Sequence, residues 1–93
     1  MELKIEQGET KGSAFLEDEG KRVAEMTFSV ASPLLIIIDH TDVNEHYRGQ
    51  QLGRRLLDAL VQKARDESFK ILPLCPYARS EFQKDTSIQD VMR

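Results

Sequence analysis

The sequence predicts an α+β fold: a mixed, mostly antiparallel sheet with one βαβ crossover and a second short helix. Three observations carry this. Apolar and polar residues alternate through the first third of the chain, an unbroken β-branched run follows at residues 34–38, and from Leu52 onward apolar residues recur at helical spacing. Meander strands followed by strand, helix, strand and helix sort into a sheet with helices packed against it.

Leu3 and Ile5 alternate with Glu2, Lys4 and Glu6, the period of a half-buried strand, and Gln7-Gly8-Glu9 closes it. Ser13-Ala14-Phe15-Leu16 forms a second strand. The acidic stretch Glu17-Asp18-Glu19 with Gly20 behind it reads as a solvated hairpin tip. A third strand follows over 22–30, with Ala24, Met26, Phe28 and Val30 in clean alternation, until Ser32-Pro33 breaks the pattern. The run Leu34-Leu35-Ile36-Ile37-Ile38 is apolar throughout, which predicts a strand buried on both faces. It turns polar at Asp39-His40-Thr41-Asp42, so that end faces a site or solvent.

Leu52, Leu56, Leu60 and Ala64 lie one helical turn apart, Leu57 and Val61 widen the stripe, and charged residues fill the other faces. This helix packs one side onto the sheet. A strand over 70–74 completes a right-handed crossover and lies parallel to the 34–43 strand. Pro76 suits the first turn of a short helix over 77–84. Residues 85–93 carry Ser87-x-x-Asp90, a capping-box pattern, and read either as a loose tail or as one more turn. Neither repeat nor linker divides the chain, so residues 1–93 are expected to form a single domain.

Composition narrows the function. With 93 residues there is room for one core. A net charge of -3 opposes a general role on nucleic acid or anionic membranes. One cysteine makes neither an internal disulfide nor a cysteine metal site, which suits a reducing compartment. The charged start MELKIEQGETKG lacks the apolar core of a signal peptide, and residues 34–38 are far too few to span a bilayer. A cytoplasmic protein follows by elimination. His40 and His46 have no metal-ligand spacing, so no metal is expected.

Functional residues concentrate where the strand gives way to the helix. A helix N-terminus offers unpaired N–H groups and a positive dipole end, and glycines let a ligand approach the backbone. Arg48-Gly49-Gln50-Gln51-Leu52-Gly53, with Arg54 and Arg55 behind it, is therefore a candidate phosphate cradle. The same residues also read as a sharp corner in any α/β connection. Helical dihedrals at Gln51 would make glycine there costly, by about 1 kcal/mol.

His40, at the polar end of the strand, is a candidate base or a strand-end histidine making one hydrogen bond. Cys75 lies just beyond a parallel strand, where α/β sheets bind ligands, and is a candidate acid, a candidate nucleophile, or a small apolar filler. Tyr77 is a second candidate, with core packing as its alternative.

The run Tyr47-Arg48-Gly49-Gln50-Gln51-Leu52-Gly53 resembles the Arg/Gln-x-x-Gly-x-Gly/Ala turn of the GNAT superfamily of acyl-CoA-dependent N-acetyltransferases. Gln51 stands where that family has its middle glycine. His40-Thr41-Asp42-Val43 and Leu74-Cys75-Pro76-Tyr77 are similar to stretches of its short single-domain members. The resemblance implies a minimal GNAT-like fold that uses acetyl-CoA as co-substrate and needs no metal. Backbone near Thr41 and Val43 would pair with the pantetheine arm, in a slot opened by splaying of the two parallel strands. Arg48, Gly49, Gln50, Gln51, Leu52, Gly53 and Arg54 would hold the pyrophosphate, and Tyr77 would stand near the sulfur. The helices that follow the first strand in longer members, and their terminal strand pair, have no counterpart. The expected activity is acetyl transfer to an amine whose identity the sequence does not encode. A CoA-binding module without turnover and a small protein-interaction domain are the alternatives.

Overall fold

Alternation decides which side of each strand the helices cover. The computed structural model describes residues 1–93. Strands β1 (Glu2–Gln7), β2 (Lys11–Asp18), β3 (Lys21–Ser32) and β4 (Leu35–Val43) are joined by hairpins, and each is antiparallel to the last. Strand β5 (Lys70–Pro73) pairs with β4 in parallel, giving a five-stranded sheet in the order β1-β2-β3-β4-β5. Helix α1 (Leu52–Glu67) makes the crossover and α2 (Pro76–Lys84) follows β5. The predicted α+β architecture is the one observed. Glu19 (φ 51°) and Gly20 (φ 79°) are both left-handed in the β2–β3 turn, as a tight hairpin matching the strand twist requires.

Cross-strand partners put Leu16 beside Ala24, Ala14 beside Met26 and Phe28 beside Ile38, all on one face. Against them α1 lays Leu52, Leu56, Leu57, Leu60, Val61 and Ala64, and α2 adds Ala78 and Phe82. Residues Thr86–Val91 form a 3-10 turn that buries Ile88 and Val91. Its cap is Asp85, which accepts from the Ser87 N–H at 2.9 Å, rather than the Ser87/Asp90 pair the capping pattern suggested. The Arg93 N–H donates to the Ile71 carbonyl at 2.9 Å, so the end of the chain covers the outer edge of β5.

The apolar run of β4 is buried on one face only, against the sequence expectation of two. Ile36 and Ile38 are buried, Leu35 and Ile37 are half-buried, and Leu34 is 67% exposed. Both helices lie on the same side, leaving the other face bare. On that face Phe15 is buried by the Arg22 guanidinium, 3.6 Å above its ring centroid.

A bulge divides β4. Phe28 pairs with Ile38 but Thr27 pairs with His40, so Asp39 is an extra residue. One extra residue reverses the strand's phase. Ile36 and Ile38 face the helices, and beyond the bulge Thr41 and Val43 do so, opposite Met26 and Ala24.

Candidate active site

β5 pairs with only the first half of β4. The parallel ladder runs from Leu35 and Lys70 to Ile38 and Pro73 and stops. There the N–H groups of Leu74 (3.0 Å) and Cys75 (3.1 Å) both donate to the Ile38 carbonyl. The chain then turns away into α2, with Pro76 in the first turn where its missing N–H costs nothing. From Asp39 to Val43 the β4 edge on that side has no strand partner.

A cleft of about 230 Å³ opens beside that edge on the helix-covered side. Thr41 and Val43 line it from β4, Arg48, Gly49 and Gln51 line it from the turn, and Tyr77 closes it from α2. The turn is built by local chemistry. Asn44 accepts from the His46 N–H (2.9 Å) and starts a 3-10 turn, Glu45–Tyr47. Gly49 (φ 83°) and Gln51 (φ 60°) then adopt left-handed backbone to wind the chain into α1. Helical dihedrals at Gln51 are thus not what the protein uses. Gln51 is the N-cap residue, outside the helix, and its exposed side chain makes no capping bond.

The first α1 bond runs from the Arg55 N–H to the Gln51 carbonyl (3.1 Å), so the N–H groups of Leu52, Gly53 and Arg54 have no partner within the helix. Gly53 has a second role. A Cβ there would sit 3.1 Å from the Tyr77 ring, so glycine lets the ring lie against α1.

The arginines of the turn differ. Arg48 is exposed and lines the cleft. Arg54 is only 24% exposed, and its guanidinium donates to three carboxylates: Asp58 (2.8 Å), Glu81 (3.1 Å) and Asp85. These bonds raise its pKa further, with Asp58 first and Asp85 second, and they join α1 to α2. At the cradle, Arg54 therefore presents a backbone N–H while its side chain is committed elsewhere. Gln50 is exposed in the bend and outside the cleft.

Cys75 is 4% exposed and N-caps α2, its Sγ accepting from the Ala78 N–H at 3.3 Å. The same sulfur lies 3.1 Å from Thr41 Oγ1, across the gap between the strands. Burial first, and then the charge of Glu81, push the Tyr77 phenol above its ordinary value, so it holds its proton at neutral pH. Thr41, Val43, the turn, Cys75 and Tyr77 thus come together. His40 does not join them, because it points from the bare face, beside Asp39.

Sequence reasoning missed one contact. Tyr47 also lines the cleft, and its hydroxyl donates to Asp18 Oδ2 at 2.7 Å, a bond that is the main cause of its raised pKa. The acidic hairpin tip therefore braces the turn instead of being wholly solvated. The only sequence signal is an aromatic residue set among polar loop residues.

A family model described as GCN5-related N-acetyl-transferase matches residues 13–91. The fold is similar to the NMR structure of a GCN5-like protein from Staphylococcus aureus, with 38% identity, a TM-score of 0.72, and coverage of 98% of this chain and 88% of that one. It is also similar to a ribosomal-protein-alanine N-acetyltransferase from Brucella melitensis biovar Abortus 2308, at 22% identity and a TM-score of 0.70. That alignment covers 83% of this chain but only 62% of the longer Brucella protein. An aminoglycoside 6′-N-acetyltransferase complexed with coenzyme A shares the fold at 15% identity and a TM-score of 0.59, over 68% of this chain and 36% of that one. No curated protein sequence matches. The matched family model spans most of the chain, and the chain belongs to the GCN5-related N-acetyltransferases.

Proposed function

We propose that this protein binds acetyl-CoA in the cleft and transfers its acetyl group to an amine. The observation that carries this reading is the end of β4–β5 pairing at Ile38, which leaves the unpaired β4 edge beside Cys75 and Tyr77. The pantetheine amides act as an added strand along Thr41 and Val43. The pyrophosphate lies against the free N–H groups of Leu52, Gly53 and Arg54, approached across Gly49 and Gln51, with Arg48 supplying the mobile charge. The thioester then reaches the gap between the strands.

The amine arrives as an ammonium and gives one proton to His40 on the bare face. Its nitrogen attacks the carbonyl carbon, the C–N bond forms, and the C–S bond breaks. A strand N–H at the gap stabilises the oxyanion, an effect worth about 3 kcal/mol where it has been measured in other enzymes. Cys75 or Tyr77 protonates the leaving thiolate, and the second proton, lost by the new amide nitrogen, passes through water to restore that donor. Burial keeps the Tyr77 phenol protonated, so it has a proton to give, while the same shift makes it the weaker acid.

A second reading makes Cys75 the nucleophile, and one contact favours it. The Ala78 N–H aims at Sγ from the head of α2, where negative charge on sulfur is favoured. Intact-protein mass measurement after mixing with acetyl-CoA separates the two. The acid role predicts no acetyl on Cys75 and a slowed but measurable transfer in Cys75→Ser, whereas the nucleophile role predicts a mapped thioester and ping-pong kinetics. Full transfer rate and unchanged CoA affinity in Cys75→Ala would reduce Cys75 to packing. Calorimetry with CoA and with pantetheine tests the cradle: Arg48→Ala should weaken CoA alone.

A further inference from the structure

The largest concavity of the molecule is not the cleft beside the turn. It is a groove of about 930 Å³ on the bare face of the sheet. Its origin lies in the side chains that register places there. Ser13 pairs with Thr27, and Thr27 with His40, while Lys11 pairs with Ser29. Short hydroxyl side chains thus occupy the middle of the face. Glu6 and Lys11 rise at the β1–β2 end, and Asp39, His40 and Leu74 at the β4–β5 end. Lys11 on β2 lies two strand spacings from Asp39 on β4, roughly 10 Å, and Glu6 on β1 lies three.

The β4 end is chemically distinct. The bulge places the consecutive residues Asp39 and His40 in the same groove, where period-two alternation would send one of them to the helix side. Asp39 accepts from the Ser29 hydroxyl at 2.6 Å and has no cationic partner. Asp42 lies next along the bare edge, opposite Glu25, whose carboxylate is paired with the Arg22 guanidinium at 2.6 Å, so at the β4 end of the groove Asp39 is the carboxylate left without a cation. The other end mixes signs, with Lys11 beside Glu6. Leu74, in the groove wall, directly precedes Cys75, whose sulfur belongs to the opposite face. Groove and cleft thus lie on opposite faces of the sheet, on either side of the point where β5 leaves β4.

We propose that the groove is the acceptor site and that it selects a slender polar primary amine. Its ammonium is held by Asp39 at the strand gap, and its uncharged or anionic tail lies over Ser13 and Thr27 toward Lys11. This assignment rests on the transferase reading above. Glu6 faces Arg22 at 3.9 Å, which leaves Lys11 to disfavour a second ammonium at the tail, so polyamines are poor occupants. The width of the groove suits an extended chain of six or so heavy atoms beyond the ammonium, about 8–10 Å. The compound 6-aminohexanoate has this form, and hexanoate is its counterpart without the charge.

The test uses the isotope-labelled full chain saturated with CoA, titrated with 6-aminohexanoate, hexanoate and spermidine and followed through backbone amide shifts. The expected result is that 6-aminohexanoate shifts the amides of Ser13, Thr27, Ser29 and His40. It should bind more tightly than spermidine, whose further ammonium meets Lys11, and about tenfold more tightly than hexanoate, the least preference that a charge-assisted hydrogen bond supplies. Asp39→Asn should remove that preference and Thr27→Leu should block the floor, both with CoA affinity within about twofold of the parent. Shifts confined to the helix-covered side, or an undiminished preference in Asp39→Asn, would overturn the assignment. Failure of CoA to bind would instead strike the transferase reading, and the amine titration without CoA would still report on the groove.

Discussion

The two halves of β4 are made of one continuous strand and behave as different materials. From Leu35 to Ile38 the strand has partners on both edges, and Ile36 and Ile38 are sealed under the helices. From Asp39 onward it has a partner on one edge only, and its side chains divide between a groove, lined by Asp39 and His40, and a cleft, lined by Thr41 and Val43. The difference teaches that, under the proposed function, this fold builds its site by stopping a ladder rather than by adding a loop. On that reading the first half holds the second in place, and the second carries the chemistry.

The sharpest way to break this comparison is to damage the paired half. Ile38 is fully buried and its carbonyl accepts both N–H groups that end the ladder. Ile38→Ala should cost about 2–5 kcal/mol in urea unfolding, the range for deleting a buried aliphatic side chain. Thr41→Val, beyond the bulge, should change stability by less than about 1 kcal/mol while altering CoA binding. Equal stability losses would show that the halves are not separate.

The turn offers the same contrast on a smaller scale. Arg54 holds Asp58, Glu81 and Asp85 together, and its removal leaves Glu81, 7% exposed, with Lys84 alone. Arg54→Ala should destabilise by about 1–2 kcal/mol, less than a fully buried pair because the cluster is partly exposed. Arg48→Ala should leave the unfolding midpoint in place and weaken CoA about tenfold. Thermal melts paired with calorimetry on both variants measure the two effects side by side.

Gln51 gives a smaller change of opposite sign. Its left-handed backbone costs about 1 kcal/mol in a non-glycine residue, so Gln51→Gly should stabilise by up to that amount. A loss of stability would mean that the side chain makes a compensating contact.

The smallest effect is in acid. Hydrogen bonds from Ser87 first and Arg54 second hold the Asp85 carboxyl down to about 2, from an ordinary value of 3.8. Glu81 is also lowered, chiefly by its hydrogen bond to Lys84. A depressed carboxyl stabilises the fold above its unfolded value, because the unfolded chain takes up protons first as the pH falls. The Asp85 contribution should therefore be intact above about pH 4 and vanish as the pH falls through about 2. Asp85→Asn should flatten the stability profile in that window and nowhere else.

Much of this was legible in the residues. Alternation gave β1 through β3, helical spacing gave α1, and Pro76 marked the start of α2, because each signal is local. What escaped depends on contacts distant in sequence. The bulge at Asp39 is a matter of register between β3 and β4, so the strand pattern could not say that Asp39 and His40 share a side or that His40 faces away from Ile38. The partners of Arg54 include Glu81 and Asp85, on elements that only the tertiary fold brings to α1. The apolar run at 34–38 reads as doubly buried because hydropathy records a side chain's preference and not whether an element arrives to cover it.

The central claim is that the unpaired half of β4 is the CoA strand. Amide shifts of the isotope-labelled protein on addition of CoA test it most directly. Large shifts are predicted at Thr41, Asp42 and Val43, at Gly49 through Arg54, and at Cys75 and Tyr77, with β1 and the paired Leu35 and Ile36 nearly still. Shifts centred on the bare face at Ser13 and Thr27, with the turn and the β4 edge unmoved, would contradict it.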